Sequence, residues 1–297
     1  MRVHARQPRN SQLERQAWSG GRRKWINTYA AQLAGRLQDD WRAGHYLSCL
    51  RPSVRLALLA PGWAMRTLTR RSPRVTRRRA RGGIDFGDLA SVRPLSTQFG
   101  FDRGLPIDRY YIERFLERFS ADVAGSLLEV GDDGYSRRFG GSRVTQQDVL
   151  HVHPGNLQAT IVGDLAEPGL LPDNSFDCMI ITQTLQLIFD FRAAITGLHE
   201  ALKPGGVLLL TVPSISQLDV GEAGSTWYWT FTPLSMMRMF CEEFGSAAIT
   251  VDVFGNVFAA TAFLQGVAAE EVDCAKLQPY DPAYPVVIAV RAQKALV

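Results

Sequence analysis

The stretch LLEVGDDGYSRRFGG, from Leu127 to Gly141, constrains this chain more than any other. An apolar strand closes on the acidic Glu129, one residue follows, and Gly131 opens a turn. That is how a nucleoside-binding α/β unit begins, the glycine letting the backbone bend sharply beside a ligand. The dinucleotide version carries two further glycines, but positions 133 and 135 here are Asp133 and Tyr135. A pyrophosphate needs close backbone approach and a helix N-terminus free of negative charge, and Asp132 with Asp133 opposes both. A cationic ligand without phosphate meets no such objection. Gly134 remains as a residue able to take positive φ within the turn.

Around this turn, strand and helix patterns alternate. PIDRYYIERFLERFSADV (106–123) places Tyr110, Ile112, Phe115, Leu116 and Phe119 near one helical face, with Asp108 set to cap the N-terminus. SLLEV is the first strand, and Tyr135 to Phe139 begins a helix after the turn. RVTQQDVL (143–150), ATIVGDL (159–165) and SFDCMIITQ (175–183) are the next strands, the last apolar through its middle as a doubly covered parallel strand is. FRAAITGLHEAL (191–202) has helical spacing and stops at Lys203-Pro204-Gly205-Gly206, before the fifth strand VLLLTVP (207–213). VVIAVRAQ (286–293) is a late strand that closes the sheet. Such alternation implies right-handed crossovers and a parallel sheet.

Charge divides the chain. Residues 1–83 carry 19 Lys and Arg against three acids, whereas 84–297 carry 14 basic residues against 26 acidic ones. The run RRSPRVTRRRARGG (70–83) reads as a solvated linker, so a flexible basic extension (1–83) is expected before a domain at 84–297. An extension of this kind is suited to weak contact with an anionic membrane surface or nucleic acid. Cys49, Cys178, Cys241 and Cys274 are far apart and form no CxxC pair, suggesting neither a zinc site nor a disulfide framework. No metal is expected. No apolar run reaches the roughly 18 to 20 residues that span a bilayer. A cytoplasmic setting fits, with the extension permitting peripheral membrane contact.

In an open α/β sheet, ligands sit outside the carboxyl ends of the strands. The residues expected there are Glu129, Val130 and Gly131, then Asp148, Asp164, Thr182 and Gln183. Asp148 follows Gly131 by 17 residues, near the spacing of about 20 at which a carboxylate accepts ribose hydroxyls. Taken in order, LLEVGDD, QDVL, IVGDL, NSFDCMII and LKPGGVLLLTVP resemble the class I S-adenosylmethionine-dependent methyltransferases, over roughly residues 100–245. GFDRGLPIDRYYIERFL, VGDDGYSRRFGG and DVLHVHPGN look like a bacterial subgroup associated with glycosyltransferase and polysaccharide genes.

The resemblance implies a Rossmann-like, seven-stranded, mostly parallel sheet with helices on both faces. It also implies S-adenosyl-L-methionine as cofactor. Glu129, Val130, Gly131, Asp132 and Asp133 would approach its methionine part, Asp148 and Val149 its ribose, and Asp164 and Leu165 its adenine, with Thr182 and Gln183 under the sulfonium. A hydroxyl acceptor also wants a base, for which His151 and His153 are candidates; His199 sits within a helix and is read as structural. The acceptor pocket of the family implies Arg109, Tyr110, Tyr111, Gln186 and the aromatic cluster TWYWTFTP (226–233), including Trp229. Aromatic faces beside hydrogen-bonding groups suit a small or glycan-like hydroxyl compound. Two alternatives stay open, a non-catalytic binding protein of the same fold and a nucleic-acid methyltransferase using the basic extension. Against the latter, Thr182-Gln183-Thr184-Leu185 is unlike a base-methylating N-P-P-Y tetrad.

Overall fold

The computed structural model describes residues 85, 87–219 and 226–296; the basic segment 1–83 lies outside them. Helix α1 (Ile107–Arg118) precedes β1 (Gly125–Val130), β2 (Val144–His151), β3 (Ile161–Val162) and β4 (Phe176–Thr182). Then come α2 (Phe191–Ala201), β5 (Leu202–Pro213), α3 (Pro233–Phe244), β6 (Ile249–Phe254), α4 (Val257–Leu264) and β7 (Val287–Gln293). The strands form one sheet in the order β3-β2-β1-β4-β5-β7-β6. Only the pairings of β7, with β5 and β6, are antiparallel. This is the expected seven-stranded, mostly parallel architecture. Its strand order reverses direction between β1 and β4, which opens a crevice at their carboxyl ends.

Both faces of the sheet are covered because successive strand residues point to opposite sides. Leu128, Met179, Ile181, Leu208 and Leu210 pack under α2 and α3. Their neighbours Leu127, Cys178, Ile180 and Leu209 pack under α1 and α4. The continuous apolar runs of β4 and β5 follow directly from this double burial. Helix entries are fixed by side chains: the Asp190 carboxylate accepts the Ala193 N–H, Thr232 and Ser235 form a reciprocal box at α3, and Asn256 caps α4.

Four local expectations are corrected. Asp108 does not cap α1; the chain enters the helix directly from the bridge Pro106↔Ala268, so Asp108 falls in the first turn, buried, and accepts the N–H of Arg109. Its burial, only partly offset by the Arg109 charge, holds its carboxyl above the usual range. β3 is two residues rather than seven, as suits an edge strand. β5 starts at Leu202, not 207: Leu202 pairs with Phe176 and Val207 with Cys178, so Lys203–Gly206 bulge out of the ladder. Lys203 Nζ reaches Asp177 at 2.7 Å across that bulge. Finally, Gly134 is not a positive-φ residue; Gly131 takes that role, with φ 92°. Three elements, α3, β6 and α4, are additions that the sequence pattern did not single out. No helix among the described residues is long and apolar enough to cross a membrane.

Candidate functional site

A cleft of about 990 Å³ opens over the carboxyl ends of β1, β2, β3 and β4. Its centre is the turn after β1. Glu129, 2% exposed, receives the backbone N–H groups of Tyr135 (3.1 Å) and Ser136 (2.8 Å). Burial pushes its carboxyl up from an ordinary 4.5 to about 7, against those two N–H groups, which favour the charged form. Gly131 is pinned from both sides: its N–H donates to the Leu150 carbonyl at 3.0 Å, and its carbonyl accepts from Asn156 Nδ2 at 2.6 Å. A Cβ on Gly131 would meet nothing within 4 Å, so the backbone there borders open cleft space.

The missing glycines are replaced by an acid-built turn. Asp132 Oδ1 accepts the Gly134 N–H at 2.7 Å, and Asp133 pairs with Arg137 at 2.5 Å. Gly134 takes an ordinary φ, and a Cβ there would lie 2.9 Å from Asp132 Oδ1, a contact that a small shift of the Asp132 side chain relieves. Asp132 lines the cleft and Asp133 does not.

Along the other strand ends, Asp164 and Leu165 line the cleft after β3 as expected, with Asp164 Oδ1 accepting the Ala166 N–H at 2.9 Å. Asp148 is elsewhere. It stands mid-strand opposite Leu128, and its carboxylate accepts from Thr160 Oγ1 (2.9 Å) and Gln146 Nε2 (3.1 Å). The residue that ends β2 in the cleft is His151, followed by Val152 and His153. His151 Nδ1 lies 3.1 Å from the His153 N–H and 3.0 Å from its carbonyl. Val149, beside Asp148, is buried and outside the cleft lining. β1 separates β2 from β4, placing His151 two strand spacings, roughly 10 Å, from the β4 end.

At that end Thr182 and Gln183 line the cleft. Gln183 has φ 49°, and its N–H donates to the Thr211 carbonyl at 2.9 Å. Its own carbonyl accepts Gln186 Nε2 at 2.7 Å, and the Gln186 carbonyl in turn accepts the N–H groups of Tyr228 and Trp229. The strained backbone fixes the loop that closes this wall. The left-handed conformation costs a non-glycine residue about 1 kcal/mol, roughly what glycine's extra chain entropy costs. Gln183→Gly is therefore expected to leave the unfolding free energy within about 1 kcal/mol of wild type, and Gln183→Val to lower it by about 1 to 3 kcal/mol; denaturant melts check both.

Of the expected acceptor contacts, Arg109 and, from the cluster 226–233, Thr226 and Tyr228 line the cleft, whereas Tyr110, Tyr111, Gln186 and Trp229 do not. Tyr111 is core, 2% exposed, with its hydroxyl donating to the Leu277 carbonyl and its ring stacked on Phe254. Tyr110 packs against Tyr111 and takes hydrogen bonds from Arg114 and Gln278. Trp229 donates to the carbonyls of Ile188 and Phe189 and packs edge-on against Phe191, which makes it a strap for the loop. Gln186 is buried behind Gln183. The cleft mouth is formed by Phe101, Phe189 and Tyr228, all exposed, together with the exposed Arg138, and by the half-buried Glu113 and Tyr135. Phe189 was readable as a large apolar residue directly before the helix cap Asp190, off any helical stripe. No metal-ligating cluster occurs among the described residues.

Residues 141–210 match a family described as "Methyltransferase domain". Among curated proteins, the chain is 26% identical over 168 residues to a malonyl-[acyl-carrier protein] O-methyltransferase of Serratia marcescens, covering 50% of this chain and 65% of that one. It is 32% identical over 117 residues to a ubiquinone/menaquinone biosynthesis C-methyltransferase of Teredinibacter turnerae, covering 39% of this chain and 41% of that one. The chain thus spans less than two thirds of either relative. A solved S-adenosylmethionine-dependent methyltransferase from Archaeoglobus fulgidus superposes with a TM-score of 0.42 at 10% identity, over 63% of this chain and 94% of that one.

Proposed function

We propose that this chain, whose residues 141–210 match a methyltransferase domain, transfers a methyl group from S-adenosylmethionine to a hydroxyl of a small-molecule or glycan-type acceptor. The observation that carries the reading is the buried Glu129 facing the cleft from a turn that holds acids where a phosphate site holds glycines. A carboxylate there favours a cation and repels a phosphate, which suits a cofactor with a sulfonium and an ammonium and no phosphate. The open space in front of Gly131 accommodates the chain of such a molecule. Bound, the cofactor supplies a methyl group already activated by the positive sulfur.

In this reading Glu129 takes the ammonium, Asp164 the exocyclic amine of the adenine, and Leu165 the flat face of its ring. Thr182 and Gln183 form the wall beside the sulfonium. Because Asp148 is turned away, the ribose faces His151, and the base role considered for His151 is dropped on distance. What remains for the protein is alignment: holding donor and acceptor in line contributes about 7 to 11 kcal/mol to such a displacement. A cleft of about 990 Å³ is at the upper end of ligand pockets, about 300 to 1,000 Å³, leaving room beside a cofactor for a second molecule. Phe101, Phe189 and Tyr228 give that second molecule an aromatic mouth, which suits the ring faces of a sugar. The resemblance to methyltransferases encoded among polysaccharide genes supports the same acceptor class.

The acceptor atom is tested by incubating the full chain with methyl-tritiated donor and a fractionated metabolite extract, then treating the labelled product with alkali. A methyl ether keeps its label in alkali and gives it up as methyl iodide in hot hydriodic acid, the expected result, whereas label that resists both reagents sits on carbon and contradicts the hydroxyl assignment. Release of the label as methanol identifies a carboxyl acceptor and contradicts the hydroxyl assignment.

A further inference from the structure

We infer that the mouth of the cleft docks on an anionic lipid surface, so that the acceptor enters from lipid rather than from bulk water. What the docked mouth takes up rests on the function proposed above; the docking itself does not.

Exposed apolar side chains from four separate segments border this one opening. Phe101 precedes α1, Val152 follows β2, Phe189 follows β4 and Tyr228 follows β5; all four are exposed and line the cleft. Leu157, 99% exposed, continues the loop after β2, and the exposed Leu218 stands beside the lining residue Asp219. Single apolar residues on a surface are ordinary, whereas a set gathered around one opening marks a contact surface.

The tips are held outward by hydrogen bonds. Asn156 donates to the Gly131 carbonyl at 2.6 Å and accepts the Gln158 N–H at 2.9 Å, which keeps Leu157 on a closed turn. The Phe101 N–H donates to the Gln98 carbonyl at 2.9 Å. The Phe189 carbonyl accepts from Trp229 Nε1 at 3.2 Å, and its ring packs edge-on against Tyr228. Turns fixed in this way leave their apolar area in water until something covers it.

Charge identifies what covers it. Residues 84–297, with 14 basic and 26 acidic residues, are repelled by an anionic surface, so the rim does not hold such a surface unaided. Residues 1–83 supply the complement, 19 basic residues against three acids, together with Trp18, Trp25, Trp41 and Trp63, four of the chain's six tryptophans. Basic residues interspersed with tryptophan suit the headgroup region of an anionic membrane. Lipid meets both needs, with anionic headgroups for the basic segment and hydrocarbon for the rim. A nucleic acid answers the charge but offers no hydrocarbon to Val152, Leu157 or Leu218.

The test is co-sedimentation of the full chain with vesicles of phosphatidylcholine alone and of an equimolar mixture with phosphatidylserine. Wild type is expected to bind the mixed vesicles at least about tenfold more tightly, and to be released as salt is raised. The double variant Leu157→Ser, Phe189→Ser weakens that binding by about tenfold or more, because each side chain withdraws apolar area from the lipid. Both positions are exposed, and denaturant melts check that the variant is folded. Leu296→Ser, also exposed but outside the cleft lining, leaves the binding unchanged. Full binding by the double variant, an equal loss in Leu296→Ser, or a wild type that ignores the mixed vesicles overturns the inference. So does retention on duplex DNA without vesicle binding, which gives the basic segment to nucleic acid. Donor binding is titrated on the same preparation, and its absence beside normal vesicle docking contradicts the proposed function while leaving the docking surface standing.

Discussion

Gly131→Val is expected to weaken S-adenosylmethionine binding by more than about a hundredfold, a loss of roughly 3 kcal/mol, while the protein stays folded. Gly131 has φ 92°, a region that a β-branched residue enters only with strain. That strain costs about 1 to 3 kcal/mol, which lowers the melting temperature by about 3 to 10 °C in a domain of this size. Relaxation of the backbone is blocked on both sides, by the Leu150 carbonyl and by Asn156 Nδ2. The new side chain points into space that holds no protein atom within 4 Å. It therefore spares the core and fills the cleft. Gly131→Ala carries the backbone cost with a smaller obstruction and is expected to lose less affinity than stability-matched Gly131→Val. Equal donor affinity in wild type and Gly131→Val would remove the turn from the binding site.

Glu129→Gln is expected to uncouple donor binding from pH. With its carboxyl raised to about 7, Glu129 is largely protonated in the free protein at pH 5.5. A cationic donor favours the ionised form, so binding releases a proton, and wild-type affinity rises by more than about tenfold between pH 5.5 and 7. That window lies below about 7.7 to 8.0, where an α-amino group loses its own proton. In Glu129→Gln the affinity is flat across the window and lower at its top.

Stability moves in the opposite sense. A carboxyl whose folded pKa is raised holds its proton in the folded state after the unfolded chain has released it. Its contribution is complete below the unfolded value of 4.5 and is lost as pH climbs through about 7. Without donor, wild type is thus expected to lose about 3 kcal/mol between pH 5 and 8 that Glu129→Gln does not lose. The amide has its own cost at pH 5, because one carbonyl oxygen must serve both the Tyr135 and Ser136 N–H groups. Parallel denaturant melts at the two pH values separate these effects, and equal slopes for the two proteins would rule out Glu129 as the titrating group.

The sheet was legible in the sequence wherever burial is two-sided. β4 and β5 are apolar on both faces because helices cover both, which is what a continuous apolar run in a strand reports. Chain spacing alone misled at Asp148. Counting residues from Gly131 ignores register, and the Gly131 N–H bonds to the Leu150 carbonyl, which sets the level of the cleft two residues beyond Asp148. The aromatic residues of α1 were a problem of direction. Ile107, Tyr111 and Phe115 recur at the spacing of one helical face, and all three are buried there. Arg109 falls off that stripe, which is why it alone of the three α1 residues expected at the acceptor reaches the cleft. Trp229 carried no such signal, since a tryptophan that straps a loop and one that stacks on a ligand read alike until their N–H partners are known.

The most direct measurement is a pair of calorimetric titrations of the full chain, one with S-adenosylmethionine and one with NAD. Uptake of one S-adenosylmethionine per chain and no detectable heat from NAD is the expected result, since the acid-built turn accepts a cation and rejects a pyrophosphate. Binding of NAD, or a folded protein that takes up neither ligand, would contradict the assignment of this cleft to a methyl donor.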